Sequence, residues 1–197
     1  MSGRISWQGL KQREFTDNPD DPFLITGINF KDGRIRWEEV YHIRMKRYNE
    51  DPEIQLRPGD VLITKDGTIG KLLFVDEIPH PHMASLNSHL LVLRPAAGRF
   101  VPKFLFYQLA SPPFAQHIEL HKSGTTFFGL TQAATGKYPI VLPPIYEQTA
   151  IAQALTNMDA ELSALEASRD KARALKQAMM QELLTGRTRL LATEVRS

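Results

Sequence analysis

A chain of 197 residues with 42% hydrophobic side chains can bury the core of one ordinary domain and carry one further element. No window approaches the roughly eighteen uninterrupted apolar residues of a membrane helix, and the absence of cysteine excludes disulfides, thiolate zinc sites and cysteine nucleophiles. With 24 basic and 22 acidic side chains the net charge is +2, so any phosphate-binding role needs its bases gathered on one face. The opening residues MSGRISWQGLKQREF lack the apolar run of a secretory signal, and together with the missing cysteines this leads us to expect a cytoplasmic protein without membrane association.

Residues 1–22 are polar and close on the turn-rich run Asp17 to Pro22, which reads as a mobile leader. Short strand-like segments follow: Phe23 to Ile28, Ile35 to Trp37, Asp60 to Thr64, Gly70 to Val75 and His89 to Arg94. The Asp66-Gly67 dipeptide between apolar runs predicts a hairpin over VLITKDGTIGKLLFV. From Phe100 the spacing becomes helical, with one helix from Pro102 to about Ser111 and a second opening at Pro112-Pro113. Ser123 to Thr126 is a loop, Tyr138 to Leu142 one more apolar run, and Pro143-Pro144 closes the domain at residue 144.

From about Ile145 to Leu184 there is neither glycine nor proline, and Gly186 is placed to end the helix that this implies. Its apolar stripe reads Ile151, Leu155, Met158, Leu162 and Leu165, with spacings that alternate four and three, then Ala172, Leu175, Met179 and Leu183. Arg169 interrupts that seam. Acids alone (Glu147, Asp159, Glu161, Glu166) occupy the first half, whereas Arg169, Lys171, Arg173, Lys176, Arg187 and Arg189 outnumber Asp170 and Glu182 in the second. Charges complementing the helix dipole would sit in the terminal turns, but Glu166 and Arg169 lie near the middle. An antiparallel partner of the same kind would set acid against base; a parallel copy would set like against like. The expected fold class is therefore α+β, a β-rich domain with short helices over 23–144, then a long pairing helix over 145–185 and a tail over 186–197.

Catalytic signatures are missing: there is no glycine-rich phosphate loop, Rossmann fingerprint or nucleophile elbow. Neither Ser111-Pro112-Pro113-Phe114 nor Leu142-Pro143-Pro144-Ile145 has the Asn/Asp-Pro-Pro-aromatic arrangement with which an adenine methyltransferase holds a flipped base. His117 and His121 would share a helix face, but Ile118, not a carboxylate, stands next to His117 and Glu119 comes after, so they read as surface or core histidines and no metal is expected. The pairs Glu38-Glu39 and Asp76-Glu77 read as solvated turns rather than acid–base dyads.

Several segments resemble the specificity subunits of type I restriction-modification systems. Arg57-Pro58-Gly59-Asp60-Val61-Leu62-Ile63-Thr64 with Gly67-Thr68-Ile69-Gly70-Lys71 is similar to the hairpin of their target-recognition domains. Asn87 with the strand to Arg94-Pro95, Phe104 to Leu109, and Ser123-Gly124-Thr125 follow in the family's order. Ile140 to Ile145 with Glu147-Gln148, Ile151-Ala152 and Leu155 resembles the family's entry into its spacer helix, and KQAMMQELLTGR (Lys176 to Arg187) its end.

The resemblance implies a non-catalytic subunit that reads one half of a split site in double-stranded DNA. A methyltransferase subunit, which carries the S-adenosylmethionine, docks on it, and a restriction subunit is reached indirectly; no cofactor is expected on this chain. By analogy with the matched loops, Lys65, Thr68, Lys71, Asn87, Lys122, Ser123 and Thr125 are the candidate DNA contacts, with Arg34 and Arg36 as weaker ones. Each has a plainer role available: Lys65 flanks a turn, Thr68 and Ser123 can form turns, and Asn87 can satisfy backbone. A full subunit carries two recognition domains and two spacer helices, against one of each here, and the portion ahead of Pro22 is shorter than usual. A homodimer joined through Leu155, Met158, Leu162, Leu165, Ala172, Leu175, Met179 and Leu183 would restore two of each. A truncated interaction subunit that does not bind DNA and a module of a fused restriction–methylation enzyme are the alternatives.

Overall fold

Alternation with a period of two decides how the strands are buried, because successive side chains leave opposite faces of a sheet. In a computed structural model, which describes residues 2–3, 12–31, 33–121 and 129–189, the strands are β1 (Ser2–Gly3), β2 (Phe15–Thr16), β3 (Phe23–Ile25), β4 (Phe30–Lys31), β5 (Arg34–Ile35), β6 (Tyr41–Ile43), β7 (Val61–Thr64), β8 (Leu72–Phe74), β9 (Ala84–Leu86) and β10 (Leu90–Leu93). The α-helices are α1 (Met45–Glu50), α2 (Pro102–Leu109), α3 (Pro112–His121), α4 (Gln132–Gly136) and α5 (Ile145–Leu184). The fold is α+β, and the chain divides into two compact units, Met1–Ala152 and Gln153–Ser197.

One sheet has the order β1-β10-β7-β8 and is antiparallel throughout; the other has the order β2-β6-β3-β9, with β3 and β9 parallel. All four residues of β7 and of β10 are buried, so these two central strands of the first sheet are covered on both faces. Leu62, Leu73, Leu90 and Val92 join Phe23, Ile25, Ala84 and Leu86 of the second sheet in one apolar cluster. Val61, Ile63, Leu91 and Leu93 join Leu105, Leu109, Phe114 and Ile118 of α2 and α3 in another. The register of Ile63 opposite both Leu91 and Leu72 keeps this sorting constant across the sheet, since a slip by one residue would exchange the two faces.

Three of the expected strands are β7, β8 and β10, and the two expected helices are α2 and α3. Two expected strands are shorter: past Ile25 and past Ile35 the chain turns into 3-10 helices, Gly27–Asn29 and Trp37–Glu39. The span 1–22, expected as a mobile leader, differs more. Ser2–Gly3 pairs with Val92 and Leu91, and Phe15–Thr16 with Ile43 and His42. The Arg44 amide donates to Glu14 O and the Ile43 amide to Pro22 O, so this polar stretch satisfies the open edges of β10 and β6. Two-residue strands are too short to leave a periodicity in the sequence.

Helix α5 occupies the span that the absence of glycine and proline predicts, and Gly186 follows in the left-handed region at φ +73°. Its first turns belong to the first unit, where Gln148 is buried. That amide donates to Arg99 O at 3.0 Å and to Pro143 O at 2.8 Å, and its oxygen accepts from the Val101 amide at 2.9 Å. In the second unit Met158, Leu162, Leu165, Leu175 and Met179 are at least half exposed. No helix among the described residues is long and apolar enough to cross a membrane.

Candidate nucleic-acid interface

The C-terminal ends of β3, β7 and β9 each lead into a polar turn, and backbone hydrogen bonds tie these turns together. After β7 the chain reverses over Lys65 to Lys71, using Gly67 at φ +69° and Gly70 at φ +85°, conformations that a β-carbon would strain. Buried Thr64 organises this loop. Its hydroxyl donates to the Thr68 carbonyl and accepts from the Lys71 amide at 3.0 Å, while its own carbonyl receives the Gly70 amide at 2.9 Å. Ile69 packs on the helical cluster, which seats the loop base against the core.

Two further segments meet this hairpin. The Lys65 amide donates to His89 O at 2.9 Å, and the Lys65 carbonyl accepts from the Leu130 amide at 2.8 Å. Asp66 forms an antiparallel bridge with Gly129. In the turn after β9, Asn87 Oδ1 accepts from the His89 amide at 3.1 Å, and the Asn87 amide donates to Ile25 O at the end of β3. Lys65, Thr68, Lys71 and Asn87 therefore share one edge of the domain.

The candidates Lys122, Ser123 and Thr125 lie outside the described residues. His121 on α3 precedes them, and Gly129, bridged to Asp66, follows. Arg34 stands elsewhere: it lines a groove with Trp37, Phe74, Asp76 and Glu77, at the end of β8 opposite Lys71, where two carboxylates oppose an approaching phosphate. The Arg36 amide donates to Asn29 O, in the turn that follows β3.

Two members of this edge escape the sequence reading. Asp66 Oδ2 lies 3.1 Å from His89 Nδ1, both side chains being exposed, and the pair stands beside Lys65. Asp66 serves in the sequence argument only as half of the Asp-Gly turn, and His89 only as a strand opener. The pairing joins residues 23 apart and leaves no local signal. His117 donates from Nε2 to Ala134 O at 2.8 Å and His121 from Nδ1 to His117 O at 2.8 Å, so both rings satisfy backbone. Among the described residues no cluster of three or more His, Asp or Glu is arranged to hold a metal.

The buried Asp60 belongs to the fold rather than to this edge. Arg94 Nε and Nη2 donate to its two carboxylate oxygens at 2.8 and 2.9 Å, and the Arg57 amide donates to it at 2.9 Å. The hydrogen bond to Asp60, foremost among its causes, raises the Arg94 guanidinium above its ordinary value. The pair closes the turn whose Gly59 takes φ +93° at the start of β7.

Comparison with known proteins gives a consistent picture. The family model of the type I restriction modification DNA specificity domain matches residues 8–174. The specificity subunit of the type I restriction enzyme MjaVIII from Methanocaldococcus jannaschii is 27% identical over 192 residues, covering 92% of this chain and 43% of that subunit. Among solved structures, a chain from work on complex assembly and conformational transition of the type I R-M system superposes with a TM-score of 0.64 at 22% identity, over 89% of this chain and 41% of that one. The S subunit from M. genitalium gives 0.53 at 17% identity, over 88% and 40%. The HsdS subunit from Thermoanaerobacter tengcongensis gives 0.51 at 19% identity, over 72% and 36%. The chain thus spans less than half the length of each of these relatives.

Proposed function

The chain belongs to the type I restriction modification DNA specificity domain family, and from that premise we propose that it is a non-catalytic half-subunit reading one half of a bipartite site in double-stranded DNA. The observation that carries this reading is the shared edge of Lys65, Thr68, Lys71 and Asn87, held by hydrogen bonds among the three turns. Lysines there suit phosphate contacts that fix register, and the hydroxyl and amide suit base edges. Lys122, Ser123 and Thr125 would extend the contact from the segment next in sequence to Gly129. On this reading a cytoplasmic methyltransferase subunit docks on the chain and brings S-adenosylmethionine, and the restriction subunit joins through that assembly. The exposed apolar seam of α5 pairs with a second copy, so that two readers face an inverted repeat.

One observation favours a second reading, an interaction subunit that binds no DNA alone: Asp66 places a carboxylate among the lysines of the edge. Duplexes selected from a random pool, followed by fluorescence anisotropy of purified chain with and without its methyltransferase, separate the two. Salt-sensitive, sequence-selective binding by the chain alone supports the reader. Binding only in the mixture supports the interaction subunit.

A further inference from the structure

The four-three spacing of the first half of α5, continued without interruption, passes through Arg169 and Lys176 as well as Ala172, Met179 and Leu183. Leu175 lies beside this line and widens it, and with Met179 and the stem of Lys176 it lines an apolar groove along the helix. We propose that α5 packs against the α5 of a second copy with the two-fold axis passing at Ala167. This rests on the self-pairing read above and adds its register.

In an antiparallel pair, a-type seam residues of one helix face d-type residues of the other. About Ala167 every seam position finds a seam position of the opposite type. Leu155 meets Met179, Leu162 meets Ala172, and Ile151 meets Leu183 of the other copy. The two remaining layers carry the bases. Lys176 comes level with Met158, beside Asp159 and Glu161, while Arg169 comes level with Leu165, beside Glu166. Each base that interrupts the seam is thereby met by acids of the other chain, whereas a parallel pair would stack Arg169 on Arg169 and Lys176 on Lys176. A slide by one heptad in either direction shortens the matched seam and leaves apolar residues uncovered at both ends. Matched about Ala167, the seam from Ile151 to Leu183 runs roughly 50 Å at ~1.5 Å per residue.

The chain has no cysteine, so introduced thiols report alone. The full-length double variant Leu162→Cys/Ala172→Cys, treated with copper phenanthroline, is expected to double in mass on a non-reducing denaturing gel. Each single variant and the slipped-register reporter Leu162→Cys/Met179→Cys are expected to stay at monomer mass. Cross-linking of the single variants would establish a parallel pair, and cross-linking of the slipped reporter instead of the first double variant would establish another register; either overturns the axis at Ala167. A dimer by light scattering that cross-links in none of these variants overturns it too. A monomer by light scattering overturns the self-pairing itself, a result distinct from a wrong register.

Discussion

Arg94 holds both carboxylate oxygens of Asp60, a residue 34 positions earlier, and also donates to Gln55 O at 2.8 Å. The Asp60 side chain is 2% exposed, so its charge depends on this fork and on the Arg57 amide. Removing one partner of such a pair leaves an uncompensated charge, and the cost exceeds what the pair itself contributes. Asp60→Ala is expected to destabilise the first unit by about 3 kcal/mol, toward the low end for buried pairs because the Arg94 side chain is 30% exposed. Urea unfolding of Asp60→Ala, Arg94→Ala and the double variant checks this: the double should be no less stable than the worse single.

Gln148 makes the corresponding link at the start of α5. Three backbone groups, Arg99 O, Pro143 O and Val101 N, bond to its buried amide, and Gln148→Leu removes all three bonds. The expected cost is about 2–3 kcal/mol. Hydrogen exchange gives the sharper readout: the Val101 amide should lose protection before the β7–β10 ladder does.

The long helix and the strand pair β7–β8 are legible in the sequence because each rests on local periodicity or on a turn with its own chemistry, as at Asp66-Gly67. The two-layer sorting of β7 and β10 is not. A run such as Val61-Leu62-Ile63, buried on both faces, has no polar–apolar alternation, and only the partners across each face show which residue goes where. The assembly of the candidate edge is hidden for the same reason. Lys65, Asn87 and Gly129 are far apart in the chain, and backbone hydrogen bonds with the Asp66–His89 contact bring their segments together. Asp60 illustrates the reverse case: it sits in the motif that carries the family resemblance, yet its side chain serves the fold.

Thr64 connects stability to the candidate interface. Its hydroxyl is the sole side chain that bonds to both Thr68 and Lys71 among the contacts described for this loop. Thr64→Val keeps the shape and removes both bonds, at an expected cost of about 1–2 kcal/mol. If the ordered loop presents Lys65 and Lys71 to DNA, the variant should also bind selected duplexes more weakly while its far-ultraviolet dichroism stays unchanged.

The lysines of that edge differ from Thr64 in kind, since a phosphate contact announces itself in the salt dependence. Lys65→Ala and Lys71→Ala are each expected to lower the slope of log affinity against log salt by about one unit. Asp60→Ala, assayed where it remains folded, should leave the slope alone. An unchanged slope in a lysine variant removes that lysine from the footprint.

Arg169 and Lys176 set stability against uniqueness in the proposed pair. Polar residues at seam positions weaken a coiled coil but restrict its alignments: in the one that sets Leu162 against Met179, Arg169 comes level with Ala172, beside Lys171 and Arg173, and loses Glu166. Replacing both with leucine exchanges four charged seam positions per dimer for apolar ones. Each buried leucine contributes about 1.5–3 kcal/mol relative to exposure, so even partial burial should lower the dissociation constant at least about a hundredfold. The same change should admit the slipped alignment: in the Arg169→Leu/Lys176→Leu background, the Leu162→Cys/Met179→Cys reporter is expected to begin cross-linking. Tighter association with the slipped reporter still silent would mean that the two bases cost stability without selecting the register, and that Ala172 opposite Leu162 fixes it by size.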